Sequence, residues 1–465
     1  MVLKIFNTLK RRKEEFIPLH PPKVGLYTCG PTVYNYPHIG NYRAYVFSDL
    51  LKRYLARQGF QVTHVMNITD VDDKTIRDSR KEKISLKKFT QKYENAFFED
   101  LETLNIIHAN TYPRATEHVN EMVAIIQRLL DKGLAYKTDD GIYYNIRMFK
   151  NYGKLARIKL AELEAGASGR VKKDEYDKEH AQDFALWKFW TPEDGDVFWE
   201  TPIGKGRPGW HIECSAMSMR YLNEQFDIHT GGVDLIFPHH QNEIAQSEGM
   251  TKKQFVKYWM HNEWLLVDGK KMSKSSGNFY TLRDVLAKGY EPLAIRYLYL
   301  GAHYRQKMNF TFAGLDAAKQ ALQRIWDCRD SLGRVNAPKH HPEIHKRIEL
   351  LKKQFTEAMD ADLDTPPALA ALFEFVKDVN VWIANNMLTK EDGKTLRAAF
   401  EDIDKVLGIL KKEENLPTAL RKLVDEREEA RMGKNWKKAD ELRAKLREKG
   451  IILEDLPQGV RWKRA

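Results

Sequence analysis

The sequence predicts an α/β protein: a parallel sheet split by an insertion, then a helical bundle and a small C-terminal α+β module. Three observations carry this. Short strand-like runs alternate with helical ones from Val24 to about Asn110, the alternation resumes at Phe226, and from Glu291 onward the pattern is almost entirely helical. Strand–helix–strand alternation builds βαβ units, so the sheet is expected to be Rossmann-like.

Taken in order, Val24 to Thr28 reads as a strand, Tyr42 to Arg57 as a helix, Val62 to Ile68 as a strand and Leu86 to Leu104 as a charged helix. A helix over Val119 to Asp131, closed by Gly133, leads to the strand-like Gly141 to Ile146, and a Gly/Pro-rich passage fills Thr191 to Gly209. Phe226 to His229, a helix after Pro238, and Phe255 to Met260 restore the sheet. Further helices are predicted over Leu282 to Lys288, Pro292 to Leu300, Ala317 to Arg329, Ile344 to Met359 and Pro366 to Asn385. The end of the chain, Thr418 to Lys449, is a charged helical pair broken near Gly433-Lys434-Asn435. Ile451-Ile452-Leu453 and Val460-Arg461-Trp462 then flank a Pro457-Gln458-Gly459 turn. The expected boundaries are residues 1–112 and 209–262 for the two halves of the sheet domain and 113–208 for the connecting insertion. A loop and stem-contact region spans 263–312, the bundle 313–412 and the terminal module 413–465.

The chain has 465 residues, and its 42% hydrophobic content supports a sizeable core in about three domains. Its 76 Lys and Arg against 65 Asp and Glu leave a net charge of +11. That surplus favours a polyanionic partner, nucleic acid first, over a merely basic enzyme. No apolar leader follows Met1 and no run approaches the ~18 apolar residues of a membrane span, so a cytoplasmic protein without membrane contact is expected. Cys29, Cys214 and Cys328 are an odd and sparse set, which argues against a disulfide framework.

Two strings suggest a nucleoside triphosphate site. Pro37-His38-Ile39-Gly40-Asn41 stands where a strand gives way to a helix, which puts backbone N–H groups and an imidazole where a phosphate would settle. Lys271-Met272-Ser273-Lys274-Ser275, between Gly269 and Gly277, reads as a mobile cationic loop suited to a phosphate chain. Singly these mean a turn and a solvated loop; together, in this order, they point to function.

A third constellation has metal character. Cys29 ends the first strand, Cys214 follows Trp210-His211-Ile212-Glu213, and His239 and Glu243 stack on one helix face at a spacing of four, with His240 competing at three. Two thiols, an imidazole and a carboxylate suit zinc. Without a C-x-x-C pair, buried inert thiols are the competing reading, and for Cys328 the default one.

Tyr27-Thr28-Cys29-Gly30-Pro31-Thr32-Val33-Tyr34, Asn67-Ile68-Thr69-Asp70-Val71-Asp72-Asp73-Lys74, Gly209-Trp210-His211-Ile212-Glu213-Cys214-Ser215 and Gly231-Gly232-Val233-Asp234-Leu235-Ile236-Phe237-Pro238-His239-His240 occur in this order. With both strings, they resemble the class I aminoacyl-tRNA synthetases, and among them the cysteinyl-tRNA synthetase family, nearly end to end. The resemblance implies that Cys29, Cys214, His239 and Glu243 bind one Zn²⁺ per chain. It implies that Pro31, Thr32, His38, Gly40, Asn41, Gly231 and Asp234 hold ATP, Asp234 at the ribose. Lys271 and Lys274 would stabilise the departing pyrophosphate, with His38 and Asn41 as further catalytic groups. Cys29, Thr69 and Trp210 would line the amino-acid pocket, and His261 and Trp264 are further candidates. The implied partners are L-cysteine, ATP with Mg²⁺, and the tRNA for cysteine, and a monomer is expected. Two departures from the family pattern are Asn41, where His is frequent, and Gln241, where Glu is usual.

Two rivals have different consequences. Activated cysteine could pass to a small amine instead of tRNA, but the C-terminal Arg421, Lys422, Arg427, Arg431, Lys434, Lys437 and Lys438 with Trp436 offer an RNA-facing surface. A non-catalytic RNA-binding protein should have lost the lysine loop or the ligand set first, and both are present.

Overall fold

The computed structural model describes residues 2–159, 183–273, 277–411, 416–456 and 459–464. The chain forms two compact units, one of residues 1–322, 352–371 and 405–409, the other of residues 323–351, 372–404 and 410–465.

Four parallel strands form the centre of the first unit, in the order Val256–Asn262, Phe226–Gly232, Lys23–Thr28, Gln61–Met66. Covered on both faces, they carry near-continuous buried runs such as Leu26, Tyr27, Val65, Met66, Ile228, Trp259 and Met260. From Lys23–Thr28 the chain crosses through helix Ile39–Arg57 to Gln61–Met66. From Phe226–Gly232 it crosses the opposite way through helix Gln241–Thr251 to Val256–Asn262. The two crossovers diverge at the seam between the central strands, and a crevice opens there beyond the carboxyl ends. Thr28 and Thr230 close the seam, their hydroxyls 2.8 Å apart.

Helix Ile39–Arg57 begins three residues before the predicted Tyr42, because His38 and Asn41 cap it reciprocally and offset the low helix propensity of Gly40. Helix Trp210–Leu222, which carries Glu213 and Cys214, was not anticipated. It starts directly after the Gly/Pro-rich passage and is buried nearly all round. Between the sheet halves, Ala135–Lys137, Gly141–Tyr144, Phe184–Phe189 and Gly206–Pro208 make an antiparallel sheet. Ile126, Leu129, Ile142, Leu186, Trp187, Ile212 and Met217 join it to helices Val119–Asp131 and Trp210–Leu222 in one core. The almost entirely helical stretch after Glu291 also holds a short strand that was not predicted, Met308–Phe310, which pairs in parallel with Leu265–Val267, itself antiparallel to Lys270–Lys271.

In the second unit, Ile325, Leu332, Phe375, Val379, Leu396, Phe400 and Ile403 are buried helical or near-helical apolar side chains. Cys328 lies 3.8 Å from the Val376 carbonyl, and burial pushes its thiol up to about 12, as an inert core residue requires. At the chain end, helices Thr418–Met432 and Trp436–Glu448 pack with hairpin Ile451–Leu456/Gly459–Arg464 around Leu416, Val424, Leu446, Ile451 and Leu453. Arg427, expected on an RNA-facing surface, is instead buried and donates to Asp455 at 2.8 Å; Arg431 pairs with the same carboxylate. Lys434, Trp436, Lys437 and Lys438 are exposed. Among the described residues no helix is long and apolar enough to cross a membrane.

Candidate active site

The crevice gathers the predicted donor atoms from three elements. Cys29 follows strand Lys23–Thr28, Cys214 sits one turn into helix Trp210–Leu222, and His239 precedes the helix that carries Glu243. The Cys29 and Cys214 sulfurs are 3.9 Å apart, Cys29 Sγ is 3.9 Å from Glu243 Oε1, and His239 Nε2 is 3.1 Å from the same oxygen. A zinc tetrahedron with Zn–S near 2.3 Å has edges of about 3.8 Å between sulfurs and shorter ones between N and O, so the spacing fits the ion. The competition from His240 is real in space. Its Nε2 lies 3.3 Å from Cys29 Sγ, and Cys29, His229, His240 and Glu243 form a second group within ligand distance.

The electrostatics fit a cation as well. Burial pushes the thiols of Cys29 and Cys214 and the carboxyl of Glu243 above their ordinary values and His239 and His240 well below theirs. A buried set of neutralised acids and bases becomes thiolate and carboxylate when a dication arrives. Supporting side chains orient the donors. His229 Nε2 is 2.9 Å from Glu243 Oε2, which leaves Oε1 for the cluster, and His211 Nδ1 is 3.0 Å from His239 Nδ1. His261 Nε2 lies 2.8 Å from His240 Nδ1, so His261 supports the cluster from behind. Trp210 stacks on the His239 ring at 4.2 Å.

Beside the cluster lies a cleft of about 360 Å³, lined by Cys29, Pro31, Thr32, His38, Gly40, Asn41, Gly231, Asp234 and Lys271. All of these but Cys29, expected at the metal, are residues expected around ATP. Asn41 N–H donates to His38 Nδ1, so the ring's proton resides on Nε2, and desolvation holds the imidazole below its ordinary pKa. His38 is therefore a neutral donor at pH 7. Asn41 itself is spent on the cap, its Oδ1 accepting from His38 N–H. Ile39 N–H donates to Tyr280 O at 2.9 Å, which ties the first string to the backbone just past the second. A side chain on Gly40 would press on the His38 ring and Met272. Lys271 is exposed, with Nζ 4.8 Å from the Trp264 ring centre. Lys274 falls outside the described residues.

Thr69 and Trp210 do not line this cleft. Trp210 faces a second cavity of about 130 Å³, which adjoins the cleft at Thr32, while Thr69 is buried and donates to Glu213. The other family departure takes no part in the donor cluster: Gln241 Oε1 accepts from the backbone N–H groups of Leu155 and Ala156. Sequence reasoning missed His211, His229 and Glu213. The available signal was polar residues at positions that the surrounding apolar run marks as buried.

A family model for the class I (C) tRNA synthetase catalytic domain matches residues 15–320, a DALR domain model residues 354–411, and a cysteinyl-tRNA ligase anticodon binding domain model residues 413–462. A cysteine–tRNA ligase of Protochlamydia amoebophila is 48% identical over 99% of this chain and 98% of its own. The chain belongs to the cysteine–tRNA ligase family. Another cysteine–tRNA ligase, from Brachyspira hyodysenteriae, is 49% identical over 99% of this chain and 98% of its own. Solved class I structures share the fold. A Mycobacterium tuberculosis methionyl-tRNA synthetase bound by methionyl-adenylate superposes with TM-score 0.58 at 15% identity, covering 83% of this chain and 90% of its own. An Agrobacterium radiobacter LeuRS–tRNA–LeuAMS complex gives 0.62 at 13% identity and 85% coverage of each chain. In the cysteine–tRNA ligase frame, the donor cluster and the cleft share one crevice at the switch point of the sheet.

Proposed function

We propose that this chain activates L-cysteine with ATP as cysteinyl-adenylate and passes it to the terminal adenosine of its cognate tRNA, with one zinc ion selecting the amino acid by its sulfur. One observation carries the reading: Cys29, Cys214, His239 and Glu243 converge at tetrahedral spacing in the crevice that also holds His38. Zinc there supplies a soft Lewis acid whose preferred incoming ligand is a thiolate. A hydrophobic pocket separates near-isosteres by only about 100-fold, whereas serine and alanine offer no sulfur.

The protein groups hold and orient. Glu243, with Oε2 committed to His229, offers a single hard oxygen and is the weakest of the four donors. Trp210, stacked on His239, walls the pocket. Asp234 takes the ribose, and His38 Nε2–H, the helix N-terminal N–H groups, Lys271 and Lys274 take phosphate oxygens, with Mg²⁺ accompanying ATP. The substrate carboxylate attacks the α-phosphorus, a C–O–P linkage forms, the α–β bond breaks and pyrophosphate leaves. No general base is required, because the carboxylate is already ionised. A ribose hydroxyl of the tRNA then attacks the carbonyl and AMP departs. Residues 413–465 serve as the anticodon-facing module, and 113–208 as the insertion between the halves of the catalytic domain.

Cysteine-dependent ATP–pyrophosphate exchange, tRNA charging and metal content, each with and without Cys214→Ser, test this. About one zinc per chain, lost with Cys214→Ser together with cysteine-dependent exchange, is expected. Transfer to small amines without tRNA charging would move the chain to the rival ligase reading.

A further inference from the structure

Glu213 is 1% exposed and has no part in the donor cluster, although Cys214 follows it. Its Oε2 accepts the Thr69 hydroxyl at 2.7 Å, while Oε1 is buried with no partner among the described residues. A buried acceptor left unpaired is costly, so an oxygen in that state beside a cavity points to a donor that arrives with a ligand. Glu213 lines the 130 Å³ cavity with Thr32 and Trp210. Of the cations along the same wall, Arg207 donates to Asp194 at 2.8 Å and pairs with Asp73, Lys188 is 2.8 Å from Asp73, and the exposed Lys74 lies 5.1 Å from the Tyr34 ring centre.

The polarity of the hydrogen bonds around Glu213 is fixed from one end. Gly30 N–H, which can only donate, gives to Asn67 Oδ1 at 2.9 Å. Asn67 must therefore present its NH₂ to Thr69 Oγ1, 3.3 Å away, and Thr69 in turn gives its hydroxyl proton to Glu213. At the end of this chain Thr69 retains one open lone pair and Glu213 one open oxygen. Both can accept from a donor-only group. The chain starts at the residue after Cys29 and ends at the residue before Cys214, and the cavity that Glu213 lines meets the cleft that Cys29 lines at Thr32. In cysteine the nitrogen and the sulfur are joined through only two carbons.

We propose that Glu213, with Thr69, binds the α-ammonium group of the amino-acid substrate while its sulfur meets the metal. This inference rests on the cysteine-pocket reading above and adds a second point of recognition. Under it, a thiol without an amine binds without using Glu213.

The test uses the cobalt(II)-substituted full chain, titrated with L-cysteine and with 3-mercaptopropionate, which keeps the thiol and carboxylate but has no amine. Glu213→Gln should weaken L-cysteine by about 10- to 100-fold, the range for losing a bond to a charged group, and leave 3-mercaptopropionate and metal content unchanged. Thr69→Val should show the same selectivity and Thr69→Ser should restore cysteine binding, which covers a Glu213→Gln variant that fails to load metal. Equal weakening of both thiols, or undiminished cysteine affinity, overturns the inference. Equilibrium dialysis of labelled cysteine runs in parallel. If neither thiol perturbs the cobalt spectrum of the unmodified chain, the metal–sulfur reading falls, while dialysis of the unmodified chain and Glu213→Gln still decides the role of Glu213.

Discussion

His38 and Asn41 hold each other in a closed pair: Asn41 N–H donates to His38 Nδ1 at 3.2 Å, and His38 N–H donates to Asn41 Oδ1 at 3.0 Å. The ring is thereby oriented with its Nε2–H available to the cleft, and the asparagine acts by positioning it. Removing Asn41 Oδ1 costs a cap of about 1 kcal/mol. Asn41→Ala is expected to slow ATP–pyrophosphate exchange about fivefold at an unchanged KM for cysteine, and Asn41→Asp, which retains the acceptor, to restore most of the rate. A cysteine KM that rises with the loss of rate would place Asn41 elsewhere.

Lys274 belongs to the string whose stem, Lys270–Lys271, pairs with Leu266 and Val267. Lys274→Ala is expected to slow adenylate formation by roughly two to three orders of magnitude, the scale of losing a preorganised oxyanion donor, with cysteine affinity little changed. Pre-steady-state exchange kinetics read this directly, and an unaltered rate removes Lys274 from the phosphate grip.

His64 is buried at the hydroxyl of Thr28, 2.9 Å away, and burial holds its pKa at about 3. The unfolded chain takes up a proton near pH 6.5 that the folded chain refuses, so this stability is present above pH 6.5 and is lost as pH falls toward 3. Between pH 7 and pH 5 the loss amounts to about 2 kcal/mol. Urea denaturation at both values should show His64→Gln to be less pH-dependent than the unmodified chain by that order; identical slopes would count against a neutral His64.

Arg296 is fully buried, with its guanidinium donating to Leu407 O at 2.7 Å and to Asp49 Oδ2 at 2.5 Å. Its removal takes one of two cations from the buried Asp49 carboxylate, which keeps Arg53 at 2.7 Å, and leaves the Leu407 carbonyl without this donor. Arg296→Ala is expected to destabilise the chain by about 3–5 kcal/mol, and Arg296→Ala with Asp49→Asn by clearly less than the sum of the two single changes. Additive losses in thermal or urea unfolding would show that the two groups act independently.

In the terminal module, Lys434, Trp436, Lys437 and Lys438 are exposed, whereas Arg427 is consumed by Asp455. Replacing Lys434, Lys437 and Lys438 by Ala should lower tRNA charging at least tenfold and reduce its salt sensitivity, with cysteine-dependent exchange intact. Arg427→Ala should instead lower the melting temperature of the module. A charging defect from Arg427 without loss of stability would restore it to the RNA face.

The strands of the sheet were legible because each is a short apolar run between turn residues, and Cys29, Cys214, His239 and Glu243 stood out because two thiols, an imidazole and a carboxylate suit one metal ion. Helix Trp210–Leu222 was illegible for a physical reason: buried from His211 through Ser218, it has no polar face and hence no amphipathic period. His229 and His211 escaped for a related one. A neutral histidine inside an apolar strand or helix looks like core until its partner, Glu243 or His239, comes from elsewhere in the chain. Arg427 misled in the opposite direction, since a charged helix reads as solvated and only the distant Asp455 shows otherwise.

The backbone is fastened on both sides of the second string. Arg43, buried within the helix that His38 opens, donates to the carbonyls of Glu263 and Trp264 at 2.6 and 2.8 Å; Tyr280 O receives Ile39 N–H. Asn278 clasps the interval from within, accepting from Ser273 N–H and donating to Lys271 O at 3.2 Å. The span between these moorings is therefore a ruler. Its count of residues sets the distance the backbone must bridge, and natural variation there should neither add nor delete a residue.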